Sequence, residues 1–229
     1  MRLNKYLAHC GLASRRKCDQ LIKDGKIRIN GKITIDYSYK VKDDDVVVFE
    51  NRAVSLDDEE YSLYLLNKPK GYICSNAKDN KNRVIDLIKS DSRLYTVGRL
   101  DVNTTGAILV TNDGDLANKL SHPRYDKEKK YLVRTFIDIP KDRYERLKKG
   151  LSIGRRQRAK GVIKRLKKEN KHIYWEIVLT EGKNREVRRI FEELGSEVID
   201  LHRHEFAGLS VQNIDIGSYK KIDSNIFND

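Results

Sequence analysis

The chain has 229 residues, room for one ordinary domain and a smaller one. Lys and Arg number 47 against 34 Asp and Glu, a formal charge of +13, so the surface field is positive and the natural partner is a polyanion. No apolar run approaches the ~18 residues of a membrane span and the N-terminus lacks the apolar core of a signal peptide, which argues against a membrane partner and predicts a soluble, cytoplasmic protein.

Leu3, Tyr6, Leu7 and Cys10, spaced three and four apart, predict a short helix ending at Gly11. Ser14 is placed to cap a second helix, with Cys18, Leu21 and Ile22 on one face and Asp24-Gly25 as its stop. Arg15, Arg16 and Lys17 crowd its first turn. Cations there oppose the helix dipole unless an anion such as phosphate lies beside them, although a solvated basic face is an equal alternative. Ile27 and Ile29 alternate with Lys26 and Arg28 before Asn30-Gly31, a strong hairpin signal, and Ile33 and Ile35 resume the alternation. Val46 to Phe49 supply a closing strand. The polar stretch from Glu50, with its acidic run Asp57-Asp58-Glu59-Glu60, is expected as a linker, giving a first domain over 1–50, a linker over 51–60 and a second domain over 61–229.

In the second domain, strands are expected over Tyr61–Leu66 and Tyr72–Ser75, and a short helix around Val84–Ile88. Ala107–Val110 reads as an apolar strand, Asn112-Asp113-Gly114 as a turn, and Asp115 as the cap of a helix carrying Leu116, Ala117 and Leu120. After a strand over Tyr131–Ile137, Pro140 opens a helix that Gly150 ends. The cations Arg155, Arg156, Arg158, Lys164 and Arg165 mark a basic hairpin. Ile173, Trp175, Ile177 and Leu179 alternate as a half-buried strand, Val187, Ile190, Phe191 and Leu194 stripe a helix, and Val198–His202 begins another strand. Strands joined mostly by turns predict an α+β fold with a largely antiparallel sheet flanked by helices.

Three groups invite chemistry and have plainer explanations. Asp113 and Asp115 are accounted for by a turn and a helix cap. His202 and His204 share a strand face without a third ligand in a recognisable spacing, so no metal site is expected there. Cys10, Cys18 and Cys74 match no zinc pattern and are expected as reduced thiols, Cys74 half-buried. Asp101 in Gly98-Arg99-Leu100-Asp101 sits on a loop between apolar stretches, a common place for catalysis, but from spacing alone a loop aspartate is usually a turn former or a salt-bridge partner.

Longer strings decide between these. Arg2-Leu3-Asn4-Lys5-Tyr6-Leu7, Ser14-Arg15-Arg16 and Gly25-Lys26-Ile27-Arg28-Ile29-Asn30-Gly31 resemble the S4 (αL-type) RNA-binding module over most of residues 2–48. Gly98 to Gly106 followed by Leu109-Val110-Thr111-Asn112-Asp113-Gly114-Asp115 resembles the catalytic motif of the ribosomal RNA pseudouridine synthases that carry such a module. Leu66 to Gly71, Lys129 to Val133 and Glu181 to Arg189 resemble that family's other motifs in order and spacing, so the resemblance covers essentially the whole chain. Ala107-Ile108 stand where leucines are more usual.

The resemblance implies a cofactor-free, metal-free isomerase that turns a uridine of ribosomal RNA, free or in a precursor particle, into pseudouridine, with a mixed sheet in the catalytic domain; a monomer is expected, although nothing in the sequence fixes it. Asp101 would be the catalytic residue, acting at C1′ or C6 or removing the C2′ proton. Arg188 would pair with it and favour its ionised form, Tyr131 would stack on the uracil and assist at C5, Arg99 would hold the nucleotide flipped out, and Leu201 would wall the base. Lys5, Ser14, Arg15, Arg16, Lys17, Lys26 and Arg28 would face RNA, reading shape and phosphate more than base sequence. The motifs look nearest the 23S-modifying branch; a 16S enzyme, a non-catalytic ribosome-assembly protein and a metal-dependent nuclease are the alternatives.

Overall fold

The computed structural model describes residues 1–56, 60–77 and 79–227, so the acidic residues 57–59 of the expected linker lie outside the described residues. It divides into two compact units, Met1–Glu60 and Tyr61–Asp229.

In the first unit, α1 (Leu3–His9) buries Leu3 and Leu7 and α2 (Arg15–Lys23) buries Cys18 and Ile22. The three-and-four spacing of these residues puts each set on one side of its helix. The Ser14 side chain accepts from the Lys17 amide at 3.2 Å, satisfying one free donor of the first turn. The strands β1 (Ile27–Ile29) and β2 (Lys32–Thr34) form the expected hairpin. Asn30 and Gly31 take φ of 50° and 80°, the doubly positive turn that matches strand twist. The Asn30 side chain adds bonds to Asp45 and to the Val46 amide, both at 2.9 Å, which seats β3 (Val47–Phe49) beside β1.

The unit continues past its expected end. Glu50 and Asn51, at φ 47° and 63°, turn the chain into β4 (Arg52–Ala53), which pairs with β3, and the Tyr6 hydroxyl donates to the Val54 carbonyl at 3.0 Å. The polar composition of 50–54 belongs to an edge hairpin, whose outward residues need not be apolar, rather than to a linker.

The second unit is built on one sheet. Its strands are β5 (Leu63–Lys68), β6 (Tyr95–Val97), β7 (Thr105–Thr111), β8 (Lys129–Thr135), β11 (Val162–Glu169), β12 (His172–Leu179), β13 (Val198–Phe206), β14 (Leu209–Ser210) and β15 (Tyr219–Ile222), while β9 (Leu151–Ser152) and β10 (Arg158–Ala159) make a separate small hairpin. The spatial order is β11-β12-β8-β13-β7-β5-β15, with β6 beside β7 and β14 beside β13. The pairing of β13 with β7 is parallel; the other pairings in the sheet, among the described residues, are antiparallel. Alternation along each strand divides the apolar residues between two faces. Leu66, Ile108, Val133, Trp175 and Leu201 belong to the larger core, whereas Leu63, Leu65, Ala107 and Leu109 belong to a second core closed by α3 (Gly114–Ser121). Trp175 is fully buried, donates to the Thr135 hydroxyl at 2.9 Å and meets Phe191 of α6 (Glu186–Glu193) edge-on.

Several expected elements take other forms. Residues 72–75 make no strand; Ile73 instead bridges to the chain at 82–84 through its N–H to the Asn82 carbonyl and its carbonyl to the Val84 N–H. The helix expected near Val84 is one 3-10 turn, Val84–Leu87, and Tyr95–Val97 is a strand that the periodicity did not announce. The helix expected over 140–150 is two single turns, α4 (Lys141–Tyr144) and α5 (Arg146–Lys149). Tyr144 meets Trp175 and Leu147 is buried, and a tight turn aligns residues three apart. Asp113, not Asp115, caps α3, accepting from the amides of Asp115 and Leu116 at 2.8 and 3.0 Å. Arg155 and Arg156, at φ 53° and 55°, sit in the β9–β10 turn, while Lys164 and Arg165 lie on β11, which pairs with β12; the expected basic hairpin is thus two pieces.

Gly106 fixes how closely β7 and β13 approach. A Cβ at this position would lie 2.2 Å from the Arg203 carbonyl oxygen, and the residue adopts φ 105°. Gly106→Ala is therefore expected to cost about 3 kcal/mol or more, through backbone clash and strain together. Urea unfolding of the variant against the parent measures this.

Candidate active site

The site grows from a buried lysine. Lys68 ends β5 with no solvent exposure, and its ammonium donates to the carbonyls of Thr104 at 2.9 Å, Pro69 at 3.0 Å, Asp101 at 3.2 Å and Val102 at 3.3 Å. Burial pushes its pKa down, opposed by Cys74 and Asp101 nearby. One cation thus draws the 101–104 turn inward, and the Thr104 amide closes that turn on the Asp101 carbonyl at 3.0 Å. Upstream, the Leu100 amide donates to the Cys74 sulfur at 3.3 Å and Leu100 is buried, so the residue before Asp101 is also fixed. The thiol of Cys74 is pushed up chiefly by burial.

With its backbone held, Asp101 presents a carboxylate that keeps 37% exposure. It stands where an open groove meets a smaller cavity of about 140 Å³. The groove carries Lys70, Arg99, Lys183, Arg185 and Arg188 around Asp101, a cationic track suited to a phosphate backbone. Beneath the opening, Tyr131 on β8 and Leu201 and Arg203 on β13 line the cavity, with Lys129 two residues before Tyr131 on the same strand face. Tyr131 lies directly opposite Arg203 across the β8–β13 ladder, and the Arg203 guanidinium is 6.0 Å from its ring centre.

The residues expected from sequence, Asp101, Arg99, Tyr131, Arg188 and Leu201, all line this cavity. The expected pairing of Arg188 with Asp101 takes another form. Arg185 is the cation in range, its Nη1 4.0 Å from Asp101 Oδ2, while Arg188 donates Nη1 to the Val198 carbonyl at 3.0 Å. The local reason is the start of α6, where Arg185 sits at φ 51° outside the helix and Arg188 lies a turn inside it, beside β13. The Glu186 carboxylate accepts from the Lys183 amide at 2.8 Å, satisfying a donor ahead of the helix. Arg189, in the same motif, binds the carbonyls of Ile153 at 2.9 Å and Gly154 at 3.0 Å and locks the β9–β10 hairpin to α6.

Spacing alone missed Lys68, Lys129 and Arg203. A lysine ending an apolar strand and an arginine alternating with Leu201 were the available signals. Lys129 is 9% exposed and donates to the carbonyls of Lys127 at 2.7 Å and Thr180 at 2.6 Å; burial first and Arg203 second push its pKa down to about 8. The two histidines are accounted for on the opposite strand face: His202 Nδ1 meets the Thr105 hydroxyl at 2.8 Å, and His204 meets Glu176 at 3.2 Å. In the first unit Ser14, Arg15, Arg16, Lys17, Lys26 and Arg28 are exposed and Lys5 is half-buried.

A carboxylate where a cationic groove meets a smaller cavity has a layout suited to an enzyme that acts on a polyanion. Residues 62–193 match the RNA pseudouridylate synthase family and residues 1–47 match the S4 domain. The chain belongs to the RNA pseudouridylate synthase family, whose chemistry is isomerisation. It is similar to the ribosomal large subunit pseudouridine synthase B of Bacillus subtilis (strain 168), at 39% identity over 96% of this chain and 91% of the relative. It is also similar to the dual-specificity RNA pseudouridine synthase RluF of Escherichia coli (strain K12), at 33% identity over 97% and 75%. Among solved structures, a pseudouridylate synthase superposes with a TM-score of 0.70 at 27% identity, covering 100% of this chain and 98% of that one.

Two outcomes are expected from the buried amines. Lys68→Met leaves the carbonyls of the 101–104 turn without their shared donor, and should lower unfolding free energy by about 2 to 4 kcal/mol and turnover at least ~10-fold, in urea melts and single-turnover assays. For Lys129 the folded pKa of about 8 lies below its ordinary value of 10.5, so the unfolded chain holds the extra proton between those limits and stability rises with pH across that window. Relative to Lys129→Met, the parent should gain about 2 kcal/mol between pH 7.5 and 9.5 in urea unfolding.

Proposed function

We propose that this protein isomerises one uridine of 23S ribosomal RNA to pseudouridine, with Asp101 as the catalytic residue. The observation that carries this reading is Asp101 at the junction of cationic groove and cavity, its backbone held from Lys68 and Cys74 and its carboxylate facing Arg185. A strand of RNA lying in the groove would turn one nucleotide into the cavity. Unstacking a base costs a few kcal/mol, which phosphate contacts to Arg99, Lys183 and Arg185 offset. Arg99 and Arg188 hold the flipped nucleotide, Tyr131 packs on the uracil ring, and Leu201 forms the wall beside it.

The reaction is balanced within the nucleotide: the C1′–N1 bond breaks, the C1′–C5 bond forms, C5 gives up its proton and N1 gains one. Asp101 in its ionised form serves as nucleophile or base at the sugar or ring. Tyr131 is placed to assist the proton transfer at C5. The chemistry asks for no cofactor. The exposed cations of the S4 domain, Arg15, Arg16, Lys17, Lys26 and Arg28, together with Lys5 and Ser14, contact the folded RNA around the target. The large-subunit target is supported by the name of the Bacillus subtilis relative, which aligns along nearly the whole chain.

Pseudouridine mapping of ribosomal RNA from cells lacking this protein should show one 23S site unmodified. The parent gene restores it and Asp101→Asn does not, with in vitro turnover down by ~10³-fold or more. Persistence of every 23S pseudouridine in the deletion refutes the assignment, and restoration by Asp101→Asn removes Asp101 from the catalytic role.

A further inference from the structure

Two buried polar groups that line the cavity have no role in the reading above. Arg203 is 3% exposed, yet its Nη2 is buried without a hydrogen-bond partner among the described residues. Its Nε donates to the Ala107 carbonyl at 2.7 Å and its guanidinium packs 4.5 Å from the Phe206 ring centre, which holds the group in place and leaves Nη2 unengaged among the described residues. The Thr104 hydroxyl, 1% exposed in the same cavity, is likewise without a partner among the described residues. A buried unmet donor costs about 1 to 3 kcal/mol, more when charged. Such a group is retained where something else supplies the acceptor. Lys129 cannot supply it, being a donor already engaged with two carbonyls, and Glu186 is turned to Lys183.

We infer that Arg203 is the residue that selects uracil, donating from Nη2 to the ring carbonyl farthest from the sugar. The inference rests on the cavity being the uracil pocket. Asp101 and Arg203 both line the cavity, and in this reading Asp101 takes the sugar end and Arg203 the far edge of the ring. In uridine C1′ is bonded to N1, and the ring atom opposite N1 is C4, which bears a carbonyl oxygen. In pseudouridine C1′ is bonded to C5, and the atom opposite C5 is C2, which also bears a carbonyl oxygen. Turning the ring about its N3–C6 axis exchanges the two, so the donor at the far edge meets an acceptor before and after the isomerisation. N3–H stays on the axis, within the chemistry of the Thr104 hydroxyl, which can accept from it. Cytosine fails both tests. Its C4 carries an amino group, which would set donor against donor at Arg203, and its N3 has no proton. A guanidinium cannot adapt by losing its own proton, as an imidazole or amine could.

The test uses the full chain with Asp101→Asn, so that bound RNA is not turned over, and a 23S fragment carrying uridine, 4-thiouridine or cytidine at the mapped position. Filter binding should show uridine bound at least ~10-fold more tightly than cytidine, with 4-thiouridine between them because sulfur is the weaker acceptor. Adding Arg203→Met should shrink the uridine–cytidine gap to about 2-fold, and Arg203→Lys should keep part of it. Arg203→Gln, whose amide oxygen can accept from the cytosine amine, should narrow the gap too, and serves if the Met variant does not fold. Equal binding of uridine and cytidine by the parent, or an unchanged gap in any folded Met or Gln variant, overturns the inference. Conversion of the uridine fragment by the unaltered protein is the control: if it makes no pseudouridine, the proposed activity fails, whereas conversion without a gap removes Arg203 alone.

Discussion

A single ammonium group, that of Lys68, organises the centre of this molecule. A lysine amine buried in protein is costly unless its protons are taken up, and here they are shared among the carbonyls of residues 69, 101, 102 and 104. The arrangement uses the lysine as a backbone clamp rather than as a charge for substrate. It converts a loop, the most mobile kind of segment, into a rigid mount for Asp101. The Asp101 side chain is thereby left free to face Arg185 and the groove.

The clamp works because β5 and β7 are adjacent, and β7 in turn is pressed against β13. That second contact runs through Gly106, where the Arg203 backbone occupies the space a side chain would need. The same stretch of β13 then sends the Arg203 and Leu201 side chains into the cavity. The Asp101 loop and one wall of the cavity are therefore set by one strand triplet, β5-β7-β13, with its single parallel contact between β7 and β13. A mixed sheet serves this purpose: it brings the end of β5, the start of β7 and the middle of β13 together at one edge of the site.

The electrostatics separate into an outer and an inner zone. Outside, cations on the groove meet solvent and are suited to phosphate, whose attraction is screened by salt and indifferent to sequence. Inside, Lys129 and Arg203 are buried, and their mutual repulsion contributes to the lowered pKa of the amine. Charge in the outer zone is suited to positioning a polyanion; charge in the inner zone is tied to backbone carbonyls and leaves few donors for a ligand, which favours selectivity over affinity.

The sequence by itself determined the two-part organisation, the Asn30-Gly31 hairpin, the helix capped by Ser14 and the alternating strand around Trp175, because each depends on local periodicity or turn chemistry. Its motifs also carried Asp101, Tyr131, Arg99, Arg188 and Leu201 into one family pattern, and all five line one cavity. Only the tertiary structure decided which cation stands near Asp101. Arg185 and Arg188 lie a helical turn apart in one motif, and the choice between them depends on where α6 begins and on the Val198 carbonyl that engages Arg188. Lys68, Lys129 and Arg203 were opaque for the same reason: an unpaired cation in a strand reads as solvent-facing until the elements that bury it are in place. The single-turn helices at 141–149, the extra strand β4 and the capping role of Asp113 follow from packing and hydrogen bonds between residues that no period links. Local pattern fixes what each segment can become, and distant neighbours fix which of its groups remain free to act.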